Sequence, residues 1–155
     1  MQIKQIEIEN FRPFYGIHRA SFSIDQKKSI SIFRAPNNWG KTSVFEAIKW
    51  CLYNYWPPIN ARGHSVNDEA IDEYEKSCKS FSVSVSIDFE HSETLYRFKR
   101  YFKYNDNYGL KNSPDNEVYL SSIKKDGKLK KIPGISDYQT FIDNVLPPQV
   151  SKYFI

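Results

Sequence analysis

The sequence predicts an α/β domain: a mixed sheet with an antiparallel β-rich layer, and a helix that follows a glycine-lysine-threonine loop. Three observations carry this. Runs with apolar residues at near period two recur from Gln2 to Asn10, from Phe81 to Glu90 and from Thr94 to Tyr104. Between Lys41 and Tyr53 the period changes to that of a helix, with Val44, Phe45, Ile48 and Leu52 on one face beside Ala47 and Cys51. The two patterns meet where the β-rich run Ser29-Ile30-Ser31-Ile32-Phe33-Arg34 passes directly through Ala35-Pro36-Asn37-Asn38-Trp39-Gly40-Lys41-Thr42 into that helix.

Composition sets the scale. A chain of 155 residues, 40% hydrophobic, with 11 Phe, 11 Tyr and 3 Trp, is long enough for one compact domain with its own core. Six Gly and eight Pro exclude a collagen-like or linker composition. The balance of 22 Lys and Arg against 18 Asp and Glu, net +4, is mildly basic and does not by itself announce a nucleic-acid binder. No run approaches the roughly 20 apolar residues of a membrane span, and Met1-Gln2-Ile3-Lys4 alternates, so a cytoplasmic protein with no membrane partner is expected. Cys51 and Cys78 form no CxxC pair, and His18, His64 and His91 have no ligand spacing, so reduced thiols and no histidine-cysteine metal site are expected.

Taken in order, the first strand is followed by the turn-like Arg12-Pro13-Phe14-Tyr15-Gly16 and a return run from His18 to Ile24, a hairpin-like unit. Asp25-Gln26-Lys27-Lys28 is a turn, and Pro57-Pro58 stops the first helix. The acidic stretch from Asn60 to Ser80 reads as a loop with one short solvated helix. The runs from Phe81 to Glu90 and from Thr94 to Tyr104 turn at His91-Ser92-Glu93. Those from Glu117 to Lys124 and from Lys128 to Ile132 turn at Lys125-Asp126-Gly127, where Asp-Gly is a hairpin signal. Serine alternation from Val83 to Glu90 predicts a half-exposed strand. Ser136 with Gln139 three residues later resembles a capping box, and Tyr138, Phe141, Ile142 and Val145 form the stripe of a last helix.

The loop carries the chemistry. A phosphate-binding loop curls backbone N–H groups around an anion at a helix N-terminus, supplies a lysine to the outer phosphates and offers a hydroxyl to Mg²⁺. Gly40-Lys41-Thr42 matches the end of G-x-x-x-x-G-K-[ST], between a β-rich run and an amphipathic helix. Ala35 stands at the first glycine, which is tolerable where that residue keeps a negative φ. Asn38 stands where related loops carry a second glycine, and asparagine is the residue that best replaces it in the left-handed region.

Three segments in order, Ile6-Glu7-Ile8-Glu9-Asn10-Phe11-Arg12, Pro36-Asn37-Asn38-Trp39-Gly40-Lys41-Thr42-Ser43 and Phe45-Glu46-Ala47-Ile48-Lys49-Trp50-Cys51-Leu52-Tyr53, resemble the start of the SMC/RecF-like family of DNA-repair P-loop ATPases. The resemblance implies one N-terminal ATPase lobe over residues 1–155, binding ATP and Mg²⁺. It places Lys41 on the β- and γ-phosphates and Thr42 on Mg²⁺. Asn37, Asn38, Trp39, Gly40, Lys41, Thr42 and Ser43 supply the loop, and Arg12 lies near the phosphates. Family members continue into a glutamine loop, coiled coils and a second lobe with the catalytic acid. No catalytic residue is identified in this chain, and Gln149 lies too early for the glutamine loop. The expected partners are therefore a C-terminal lobe, a second copy in a nucleotide-dependent dimer, and DNA. The expected role is DNA repair or defence against foreign DNA, with hydrolysis needing the missing lobe. A different class of reading is a non-catalytic module with a degenerate loop, binding nucleic acid or a partner through the basic run of ten Lys and Arg against four acids between residues 97 and 131. That run also suits solvated outer strands whose lysines guard an edge.

Overall fold

The computed structural model describes residues 2–22, 30–37, 39–55, 65–104, 115–122, 128–132 and 137–147. In chain order these form β1 (Gln2–Phe11), β2 (Phe14–Ser21), α1 (Lys41–Tyr53), α2 (Asp68–Ser77), β3 (Phe81–His91), β4 (Thr94–Tyr104), β5 (Asp115–Ser122), β6 (Lys130–Lys131) and α3 (Tyr138–Val145). The strands make one six-stranded sheet in the order β2-β1-β3-β4-β5-β6. The turns expected at 25–28 and 125–127, the helix stop at Pro57-Pro58, and Ser136 lie outside the described residues.

Among the described residues every strand pairing is antiparallel, and the parallel pairing of the expected mixed sheet is not seen among them. The run expected to supply a strand before the loop forms none over residues 30–34, and Ile30 and Ile32 stand 79% and 85% exposed. Their β-propensity is real, but a strand exists only when its N–H and C=O groups have a ladder partner. No described strand pairs with this segment.

The core fills one face of the sheet. Ile6 and Ile8 of β1, Val83, Val85, Ile87 and Phe89 of β3, and Phe98 and Phe102 of β4 are all buried there. Against them pack Ala47, Trp50, Cys51 and Leu52 of α1, together with Ile142 and Leu146 at α3. Trp50 stacks on Phe11 at 5.5 Å and meets Phe102 edge-on at 6.1 Å, so one indole joins β1, β4 and α1. Phe45, expected on this face, is exposed, because α1 turns residues 43, 47, 50 and 51 inward instead.

On the other face β3 departs from the half-exposed strand its serines predict: Ser84 is 1% and Ser86 7% exposed. The cause is lateral. Glu9 and Tyr101 flank Ser84 in register, and Glu7 and Lys99 flank Ser86, so long neighbours on both adjoining strands roof over short hydroxyls. Ser84 Oγ donates to Glu9 Oε2 at 2.8 Å. This face is laced with ion pairs, Arg19 with Glu7, Arg97 bidentate on Asp88 at 2.6 Å, and Lys131 with Glu117.

Arg100, counted in the basic run, is on the helix face and buried. Its Nε donates to the Cys51 carbonyl at 3.1 Å and its Nη2 to Gln139 Oε1 at 3.1 Å. Gln139 Nε2 in turn donates to the Leu52 carbonyl at 3.1 Å. The last carbonyls of α1, which have no intrahelical partner, are thus capped from β4 and α3, with a cation at the negative end of the helix dipole. Burial lowers the Arg100 pKa from its ordinary value. The first turn of α3 is capped by Asp137, whose side chain accepts from Thr140 N at 3.0 Å, one residue beyond the expected Ser136. Asp137 does this with a carboxylate at the positive end of the dipole.

Both described cysteines are free thiols. Burial pushes the Cys51 thiol up to about 12, and it donates to the Val85 carbonyl at 3.3 Å. Native protein treated with iodoacetamide at pH 8 is expected to be alkylated at exposed Cys78 and not at Cys51, as peptide mass spectrometry will show. Arg100→Ala strips the donor from the Cys51 carbonyl and a partner from Gln139, and is expected to cost about 3 kcal/mol in urea unfolding, the worth of a buried charged hydrogen-bond donor.

Candidate functional site

The loop meets α1 at Gly40, whose backbone is left-handed with φ 85 and ψ 12. Glycine is required there twice over. A Cβ would sit 2.9 Å from Phe14 Cζ and 3.0 Å from Pro13 Cγ, in a conformation that side chains disfavour in any case. The Gly40 carbonyl accepts the first helical bond from Val44 N at 3.0 Å. No side chain caps this end of α1, and its first turn holds no acidic residue. The N–H groups of that turn have no acceptor within the helix, so the site favours an anion.

Ala35 is not among the positive-φ residues, so the lost first glycine costs the loop nothing in backbone strain. Lys41 Nζ donates to the Ala35 carbonyl at 2.6 Å and to the Pro36 carbonyl at 2.7 Å, tying the start of the loop to its end. Asn38 lies outside the described residues. Trp39 is 71% exposed and lines, with Phe33, Arg34, Gly40 and Lys41, a smaller cavity of about 230 Å³.

A cavity of about 810 Å³ opens over the helix end. Asn37, Gly40, Lys41, Thr42 and Ser43 line it from the loop and α1, Arg12 and Pro13 from the β1–β2 turn, and Asn67, Asp68 and Glu69 from the start of α2. Of the eight residues expected at the site, the structure therefore brings together Arg12, Asn37, Gly40, Lys41, Thr42 and Ser43.

The turn that carries Arg12 is tighter than its sequence suggests. Phe11 already pairs with Phe14, leaving only Arg12 and Pro13 between the strands. A register shift between Glu9 and Phe11 places Asn10 at a bulge, and Asn10 and Arg12 are both left-handed, with φ 50 and 52. Asn10 holds this bend from inside, its Nδ2 donating to the Ser82 carbonyl and its Oδ1 accepting from Gly16 N, each at 2.8 Å. From outside, Arg12 N donates to the Ser65 carbonyl at 2.9 Å, and Asn67 Nδ2 donates to the Arg12 carbonyl at 2.7 Å. The Asn67 Oδ1 accepts from Ala70 N at 3.1 Å, so the same side chain caps α2. The Arg12 guanidinium pairs with Glu46 of α1.

Sequence reasoning missed Asn67, Asp68 and Glu69, whose acidic surroundings read as solvated helix, and Glu46, quoted only as part of a pattern. Asn67 had a signal: an asparagine directly before Asp-Glu and a helical run is an N-cap signature. Glu46 had none, because its partner lies 34 residues earlier across a turn. Among the described residues no group of three or more His, Cys, Asp or Glu could hold a metal ion, and no helix is long and apolar enough to cross a membrane.

A family model described as an AAA domain matches residues 5–152. The protein named DNA replication and repair protein RecF, from Chlorobium luteolum, is 39% identical over 51 residues. That match takes in 33% of this chain and 12% of the relative's length. Asn67→Ala removes both a helix cap and the tether to Arg12, and is expected to lower stability by about 2 kcal/mol in urea unfolding, the upper range for a cap.

Proposed function

The chain belongs to the AAA-domain family as the N-terminal region of a RecF/SMC-like ATPase, and from that premise we propose that it binds ATP with Mg²⁺ in the cavity at the start of α1. The observation that carries this is the convergence on one cavity of an uncapped helix N-terminus, the Lys41 amine, the Thr42 hydroxyl and Arg12. Three of these features come from the Gly40-Lys41-Thr42 segment, and the fourth, Arg12, is brought to them from the separate β1–β2 turn.

The residues suit the ligand. The N–H groups at the uncapped start of α1, which find no acceptor within the helix, are the donors offered to the phosphates. Lys41 exchanges its two carbonyl acceptors for phosphate oxygens, which accept from an ammonium more strongly because they are charged. Arg12 meets the same charge from the β1–β2 turn. Thr42 would offer a hydroxyl to Mg²⁺, which when bound would neutralise phosphate charge. Asp68 and Glu69, on the far wall, add acceptors for a hydrated cation or for nucleoside hydroxyl and amino groups.

Hydrolysis calls for a second lobe carrying a catalytic acid, and Ile30 and Ile32 support that need. The exposed, β-prone segment leading into the loop suits a partner strand from such a lobe or from a second copy. A role on DNA rests on the likeness to a replication and repair protein. The basic strands add little to it, because Arg97 and Lys131 are paired with acids and Arg100 is buried.

Isothermal titration of the chain with ATP and Mg²⁺ tests the assignment. Lys41→Ala is expected to weaken binding by about 100-fold, the worth of a charge-assisted hydrogen bond to phosphate. Equal affinity in wild type and variant refutes it.

A further inference from the structure

Arg12 is held at three points. Its N–H is bound by Ser65, its carbonyl by Asn67, and its guanidinium by Glu46, with the two paired side chains only 19% and 17% exposed. Glu46 lies four residues after Thr42 on α1, hence one turn deeper on the same face of that helix. The pair therefore joins the β1–β2 turn to the helix whose N-terminus forms the floor of the cavity. A guanidinium carries five donors in a planar fork, more than one carboxylate accepts, so it can hold Glu46 and a phosphate oxygen together.

We propose that Glu46 is a positioning residue: it fixes the Arg12 guanidinium at the cavity wall, so that a polyphosphate meets an arginine already ordered. The proposal rests on the nucleotide reading only for the ligand's identity, since the geometry itself asks for a multiply charged anion. Arginine side chains are otherwise rich in rotamers, and ordering one during binding weakens affinity. Two other roles for Glu46 make opposite forecasts. A carboxylate that merely competes for Arg12 would, on removal, tighten binding. One that merely supports α1 would matter equally with or without Arg12.

Titration calorimetry on the full chain, with inorganic triphosphate and with ATP and Mg²⁺, separates these roles in wild type, Glu46→Gln, Arg12→Ala and the double variant. Glu46→Gln is expected to weaken both ligands by about tenfold, one charge-assisted contact misplaced, and by less than about twofold once Arg12 is alanine. Glu46→Asp keeps the charge, shortens the reach and is expected to weaken both ligands as well. Unchanged or tighter binding in Glu46→Gln, or the same loss in the Arg12→Ala background, overturns the proposal. Wild-type binding of triphosphate without ATP overturns the nucleotide reading and leaves Glu46 to be judged by its cycle. Binding of neither overturns both.

Discussion

The seating of α1 on the sheet is the constraint from which the site follows. Ala47, Trp50 and Cys51 lock the helix against β3 and β4, and Arg100 and Gln139 cap the carbonyls of Cys51 and Leu52 at its far end. A helix fixed in this way has no freedom to turn its N-terminus elsewhere. The partial positive charge that accumulates there is presented at a defined point beside the β1–β2 turn. Cores are close-packed and do not deform continuously, so the geometry of the cavity at this helix end is set by residues that never approach it.

Around that fixed helix end the second wall is built from backbone. Asn10 and Arg12 adopt left-handed conformations that cost energy, and hydrogen bonds to the Ser82 and Ser65 carbonyls and from Gly16 N and Asn67 Nδ2 offset the cost. The bend brings Pro13 and Phe14 so close to the loop that only glycine fits at position 40. The loop, the turn and the start of α2 thus constrain one another. Asn67 is the shared member, since it both caps α2 and holds Arg12. Strained, over-determined backbone of this kind collects where geometry matters to function.

Much of this was legible in the sequence where the signal is local. The period change at Lys41 and the turn expected at His91-Ser92-Glu93 are short-range patterns; α1 begins at Lys41, and the turn narrows to Ser92 and Glu93, both left-handed at φ 48 and 60, with His91 still in β3. The legible part ends where tertiary neighbours decide. Ser84 and Ser86 look solvent-facing by alternation, yet long side chains on both flanking strands bury them. Arg100 looks like one of a basic run, yet strand phase turns it inward to cap a helix. Ile30 and Ile32 look like a strand, and no described strand pairs with them. The pairing of Arg12 with Glu46 depends on the bend between them, which period and propensity do not encode.

The occupant proposed for the cavity walled by the loop, the β1–β2 turn and the start of α2 is the polyphosphate of a nucleotide. Hydrogen–deuterium exchange of the chain with and without ATP and Mg²⁺ tests this most directly, because amides that bind phosphate exchange slowly. Protection is predicted at residues 37–43 together with 11–14 and 65–69, and little change in β4 and β5. Absence of protection at the loop, or protection confined to the outer strands, would contradict the account.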